Sequence, residues 1–333
     1  MSKWWTVALV LLVQAFPAMA QTKLDHVSVG VVISLANAPY FVALEKGYLK
    51  DEGIETDSGS FNGAQDMTSA LATGQLDVGL GAFNAGFFNA AHAGLDLRGV
   101  AALGYQPSPV IATPPLVRKD LWDNGTIRSG KDLKGRKVAV NTPGATPEYT
   151  LSLILQKYGM TLKDVDETML GFPQMVIALE NKAVDAAFVS APFHAIALRD
   201  GTAVLLKPDD GVTAGDITTV VFFSGKFLRD RPQVGERFLR ALLRGARETQ
   251  AGYTKNPATA ALLAKATGLK LTDIEASIPF AFDPHLDIVR FEPSIRRQET
   301  QHGKDGRLNY KGHVPMDKMI DPSLLKAAMK GAN

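Results

Sequence analysis

The chain has 333 residues, 46% of them hydrophobic, with 36 basic residues against 34 acidic ones and no cysteine. Charges that nearly cancel leave no excess to recruit a nucleic-acid backbone, and a chain without cysteine excludes disulfides, thiolate catalysis, Cys-ligated zinc and lipid attachment at an N-terminal Cys. The length exceeds what one hydrophobic core serves comfortably, so two lobes are expected.

Residues 1–20 join Lys3, an apolar core from Trp4 to Phe16, and Ala18-Met19-Ala20, the small-x-small pattern of a secretory signal cleaved after Ala20. The apolar run is shorter than the roughly 20 residues of a membrane span. The mature chain, starting at Gln21, is expected to diffuse freely in an oxidising compartment, the Gram-negative periplasm.

A buried strand is expected over 26–33, then a helix with Phe41, Leu44 and Tyr48 on one face and Gly47 near its end. The unit recurs: strand 54–58, turn Asn62-Gly63, helix 64–73, strand 76–80, helix from 84 through Ala91, strand 97–103. Alternating strands and helices imply a mostly parallel sheet covered on both faces. The pattern then repeats. Ala70-Leu71 through Leu76-Asp77 to Ala82-Phe83 is matched 108 positions later by Ala178-Leu179 through Val184-Asp185 to Ser190-Ala191. The strand over 136–141 answers the one over 26–33, and Leu151, Ile154, Leu155 and Tyr158 form the next helix face.

Two extended stretches, 110–121 and 218–228, also echo one another. Extended chain spans a cleft most directly, so 110–116 and 218–224 are expected to be two crossing hinge strands. Lobe one is then 24–112 plus 222–333, and lobe two is 113–221. The C-terminal third carries an amphipathic helix with Phe238, Ala241, Leu242, Leu243 and Ala246 on its stripe and a second helix opened by Asn256-Pro257, both packing on lobe one. The polar segment 301–313 reads as an exposed loop.

Ligands of doubly wound sheets sit beyond the carboxyl ends of the strands, at helix N-termini. That selects the tips 34–40, 59–64, 81–85, 142–146 and 190–194. Their hydrogen-bonding members are Ser34, Asn37, Asn62, Asn84, Thr142, Thr146 and Ser190, with Gly63 and Gly144 in the same turns. Tyr40, Phe61, Phe83 and Phe193 are the aromatic members. Asn62 and Asn84 read equally well as helix caps, and Tyr40 and Phe83 as core residues. Asp77 and Asp185 are expected to bond backbone N–H groups at turns, and His194 has no companion at metal-ligand spacing, so no metal is assigned. With no Lys or Arg in these tips, an anion would rest on hydroxyls and helix ends. Such a pocket favours a monoanion with an apolar body, or a neutral aromatic, over a phosphate-like dianion. The chain has no G-x-S-x-G, H-E-x-x-H, G-x-x-x-x-G-K-[ST] or complete G-x-G-x-x-G, so no enzyme is expected.

The strings A-P-Y-F-V-A-L-E-K-G-Y-L-K-D-E-G-I from Ala38, G-A-Q-D-M-T-S-A-L-A-T-G-Q-L-D from Gly63, D-L-K-G-R-K-V-A-V from Asp132 and F-L-R-D-R-P-Q-V-G-E-R-F-L-R-A-L-L-R-G from Phe227, in that order, resemble the solute-binding proteins of nitrate/sulfonate/taurine-type ABC importers. The resemblance runs over nearly the whole mature chain. It implies an α/β, two-lobed periplasmic-binding-protein fold of type II-like form, each lobe a mostly parallel sheet flanked by helices, joined by two crossing hinge strands. It further implies a monomer without cofactor that captures a small, often anionic solute in the interlobe cleft: an alkanesulfonate, taurine, nitrate, bicarbonate, an aromatic carboxylate or a pyrimidine precursor of thiamine. Its partners would be an inner-membrane ABC permease and the ATPase of that permease. A periplasmic sensor would use the same scaffold, as would a periplasmic enzyme; the pyrimidine-forming relative depends on a Cys-containing motif that this chain cannot supply.

Overall fold

The computed structural model describes residues 24–107, 111–207 and 212–331, so the expected signal segment and Val110 lie outside the described residues. Among the described residues eleven strands form two sheets: β1 (Asp25–Val32), β2 (Ile54–Phe61), β3 (Val78–Gly81), β4 (Leu97–Tyr105), β5 (Pro115–Arg118), β6 (Lys137–Val140), β7 (Asp166–Met169), β8 (Ala186–Phe188), β9 (Ala203–Leu205), β10 (Ile217–Ser224) and β11 (Ala281–Phe282). The first sheet has the order β11-β4-β10-β3-β1-β2 and the second β7-β6-β8-β5-β9. Leaving out β11, the two orders are the same: β2, β1, β3, β10, β4 correspond to β7, β6, β8, β5, β9. The repeat in the sequence is therefore a repeat of topology.

In each sheet the strands β1, β2, β3 or β6, β7, β8 run parallel, and β10 or β5 enters antiparallel beside them. All eight residues of β10 are buried, as expected of a central strand in a sheet covered on both faces. The echo between the two extended stretches is thus a correspondence of antiparallel strands, one in each sheet. The crossing itself lies just before them. Gln106 N donates to Asp216 O at 2.8 Å, Gly215 N donates to Gln106 O at 3.0 Å, and Ala112 N donates to Gln106 Oε1 at 2.8 Å. Residues 218–224, expected to span the lobes, are instead paired on both edges within the first sheet, so a boundary at 222 would cut a strand.

The helix Pro232–Glu248 buries Phe238, Leu239, Leu242, Leu243 and Ala246 on one face, while Arg240 and Arg244 on the other pair with Glu52 and Asp51. Its core face lies on the helix Ala38–Glu45, which ends where Gly47 adopts φ 77°. The segment 301–313 departs from the exposed-loop reading only at its start, and 305–313 are turns and loop with no buried residue. Gln301 and His302 end the helix Glu292–Lys304 and are buried, because that helix packs on Thr146–Lys157 and Gln301 Nε2 donates to Ser152 Oγ at 2.9 Å.

Contact between the two lobe-one helices is closest at Gly245, where a Cβ would stand 2.1 Å from the carbonyl oxygen of Pro39. Because backbone cannot yield as a side-chain tip can, Gly245→Ala is expected to cost about 1–3 kcal/mol. Urea unfolding monitored by circular dichroism checks this, and a wild-type midpoint would show that the helices separate freely.

Candidate functional site

The site is a cavity between the sheets of about 50 Å³, partly open to solvent. The pseudo-repeat builds its wall in matched pairs. After β1 come Ser34, Ala36 and Asn37, and after β6 comes Asn141. At the end of β3 come Gly81 and Ala82, and after β8 comes Ser190. The helix following β2 starts at Ala64, and the one following β7 starts at Phe172. Thr218 and Thr219 of β10 face Thr113, which leads into β5. Phe280, Val32 and the turn Ala145-Thr146-Pro147 complete the lining.

Among the described residues none of those lining the cavity carries a charge. Three helices of ordinary length begin at it, Ala64–Ala72, Thr146–Lys157 and Phe172–Glu180, and their N-cap residues Gly63, Ala145 and Gly171 supply no side-chain cap. Asn84, by contrast, caps the helix Ala85–His92 by accepting from Phe87 N at 3.0 Å. Each bare N-terminus offers N–H donors and roughly half a positive elementary charge. Four polar side-chain atoms at the wall, Asn37 Oδ1, Asn141 Oδ1, Thr146 Oγ1 and Thr218 Oγ1, are buried without a hydrogen-bond partner. Burying such atoms unpaired costs stability, and a polar guest would repay it.

Of the residues proposed from sequence, the fold brings Ser34, Asn37, Thr146 and Ser190 together at this wall. Ser34 Oγ and Ser190 Oγ meet across the lobes at 2.7 Å, and Leu35 N donates to Ala191 O at 2.8 Å. Asn62, Gly63, Thr142 and Gly144 form the interlobe seam beside the cavity. Asn62 O accepts from Asn141 Nδ2 at 3.2 Å, a Cβ on Gly63 would come within 2.4 Å of Thr142 Cγ2, and one on Gly144, at φ 66°, within 2.5 Å of Ala85 N. The remainder lie in packed interior. Tyr40 stacks on Phe238 and its hydroxyl meets Ser58 Oγ at 2.6 Å. Phe83 sits among Phe87, Phe88 and Phe222, Phe193 is in the same hydrophobic cluster as Phe83, Phe61 packs at its edge, and Asn84 is a cap. His194 is buried and accepts from Ile278 N through Nε2 at 3.0 Å, and its burial lowers the imidazole pKa to about 4.

Sequence reasoning missed Thr113, Asn141, Phe172, Thr218 and Thr219. Two were within reach: the 108-residue offset carries Ala64 onto Phe172 and Ser34 next to Asn141. The threonines had no such signal, because their place depends on which sheet each crossing strand joins.

Charge is used at the edge of the seam instead. Arg307 Nη2 donates to Glu148 Oε1 at 2.6 Å and to Glu167 Oε2 at 2.5 Å. Burial first, and the neighbouring Glu148 carboxylate second, push Glu167 up to about 7. A carboxyl raised in the folded state binds its proton there more readily than in the unfolded chain, so its contribution is present at low pH and is lost as pH rises towards 7. Glu167→Gln is therefore expected to flatten the decline in melting temperature between about pH 5 and pH 8, read by scanning calorimetry.

Thr218→Val tests the unpaired hydroxyl. Replacing a buried orphan with a methyl of similar shape is expected to raise the stability of the ligand-free protein by about 1 kcal/mol. A loss of that size in urea unfolding would mean that the hydroxyl already has a partner.

A model of the family described as NMT1/THI5 like matches residues 35–276. The riboflavin-binding protein RibY of Chloroflexus aurantiacus is 30% identical over 241 residues, which cover 70% of this chain and 64% of that relative's length. The putative aliphatic sulfonates-binding protein of Escherichia coli is 26% identical over 87% of each chain. A 4-amino-5-hydroxymethyl-2-methylpyrimidine phosphate synthase of Aspergillus parasiticus is 22% identical over 62% of this chain and 61% of its own. Among solved structures, the alkanesulfonate-binding protein SsuA from Xanthomonas axonopodis pv. citri, bound to MOPS, superposes with a TM-score of 0.71 at 18% identity, covering 88% of this chain and 97% of that one. The chain thus shares the two-lobed periplasmic-binding-protein fold.

Proposed function

The chain belongs to the NMT1/THI5-like family, and on that premise we propose that it is the solute-binding component of an ABC importer, which captures a small organic molecule in the interlobe cavity and hands it to an inner-membrane permease driven by an ATPase. The observation that carries this reading is the cavity itself: no charged group, three bare helix N-termini, and unpaired polar atoms supplied by both lobes. Such a wall binds, but among its lining residues no side chain can act as a base to activate the serine and threonine hydroxyls, and no acid and base are paired for chemistry.

The relatives named for riboflavin and for aliphatic sulfonates support a binder of small organic solutes. The helix N-termini suit an acceptor oxygen on the solute, and Phe172 and Phe280 suit an apolar body. The protein acts as a monomer in the periplasm after loss of residues 1–20; among the described residues no helix is long and apolar enough to cross a membrane. The lobes we assign are 24–112 with the C-terminal part and 113 onwards in the middle, the second boundary lying before Ile217 so that β10 stays whole. The lobes open about the paired segments at Gln106 and Asp216 and close on solute, a rigid-body motion.

The test is a thermal-shift screen of riboflavin, alkanesulfonates, aromatic carboxylates, nitrate and pyrimidines, followed by small-angle scattering on any hit. A solute at about 100 times its Kd adds about 2.7 kcal/mol of stability and reduces the radius of gyration. Recovery of a chemically altered solute would favour an enzyme, and an unchanged radius at saturation would remove lobe closure from the mechanism. A sensor reading predicts the same binding but no permease and ATPase genes beside this one.

A further inference from the structure

We propose, resting on the solute-binding reading of the same cavity, that the solute is an uncharged molecule presenting N–H donors to Asn37 Oδ1 and Asn141 Oδ1, an amide, ureide, imide or aminoheterocycle, and that acceptor-only oxyanions are rejected. The orientation of the two amides carries the argument. Asn37 Nδ2 donates to Val32 O at 2.8 Å and Asn141 Nδ2 donates to Asn62 O at 3.2 Å. Turning either amide over would set its oxygen against a carbonyl oxygen, so the backbone dictates which end faces which way. Each Oδ1 is then left buried and unpartnered at the cavity wall, with Asn37 1% and Asn141 7% exposed.

An amide oxygen only accepts. A nitrate or a simple alkanesulfonate, which also only accepts, would leave both oxygens desolvated and unpaired, or would face them directly, and each loses binding energy. The hydroxyls of Thr146 and Thr218 can turn to either role, and those of Ser34 and Ser190 are engaged with each other, so the two amides are what discriminates. A charged ammonium would satisfy them, yet among the described residues no carboxylate lines the cavity and three positive helix ends face it. An uncharged N–H beside a carbonyl meets both demands: its N–H groups reach the amide oxygens and its oxygen reaches the helix N–H groups.

The experiment is calorimetric titration of the full mature protein with uracil and hydantoin, with their N,N′-dimethyl forms, and with nitrate, ethanesulfonate and 2-aminoethanesulfonate. The expected result is that an N–H-bearing probe binds, that its dimethyl form binds at least roughly 10-fold more weakly for two lost hydrogen bonds, and that Asn37→Leu and Asn141→Leu each weaken it roughly 3- to 10-fold. The methylated probes need no variant, so the outcome holds even where a substitution disturbs folding. Nitrate, ethanesulfonate or 2-aminoethanesulfonate binding as tightly as the best N–H-bearing probe would overturn the proposal, as would a dimethyl form that binds like its parent. Binding of no probe from any class would count against the solute-binding reading itself.

Discussion

Each sheet takes its central antiparallel strand from chain that has just left the other sheet, and this exchange is the constraint on which the rest of the molecule depends. β5 follows β4 of the first sheet, and β10 follows β9 of the second. The chain must therefore cross between the lobes twice, at adjacent places, and the two crossings are hydrogen-bonded to each other around Gln106 and Asp216. Two paired crossings leave rotation as the easy motion and oppose separation. The strands entered from these crossings place Thr113, Thr218 and Thr219 at the wall of the cavity.

Polarity is distributed by the same geometry. Most ion pairs lie at the surface, where each contributes little to stability; Arg244 with Asp51 and Lys265 with Glu45 are examples. Buried Glu148, paired with Arg307 beside Glu167, joins the lobes next to the cavity, and Glu148 Oε2 also accepts from Gly144 N at 2.6 Å. Losing one partner there would strand the others without solvent. The cavity is left with amides, hydroxyls and backbone N–H groups, which can select a solute by the pattern of its donors and acceptors more than by its charge.

Local pattern made much of the fold legible. Apolar runs, helix faces and the Asn62-Gly63 and Gly47 turns lie where short-range spacing set them, and the 108-residue offset reappears as two sheets of one topology. The short strand β7 escaped because D-E-T-M has no apolar run to mark it; pairing to β6 makes it a strand. Gln301 and His302 were misread because their polarity suggests solvent, whereas a neighbouring helix supplies Ser152 as partner for Gln301.

By itself the sequence determined the order of elements, the two-fold repeat and the loop tips where strands give way to helices, because these follow from the 2.0 and 3.6 periodicities and from turn chemistry within a few residues. Tertiary structure alone decided which polar atoms at those tips stay unpaired. Asn84 and Asn141 look alike in sequence, yet one amide oxygen caps Phe87 N while the other is left free, since the latter's nitrogen is taken by Asn62 O from the opposite lobe. For Asn141 the deciding partner lies more than 70 residues away, and no local spacing records it.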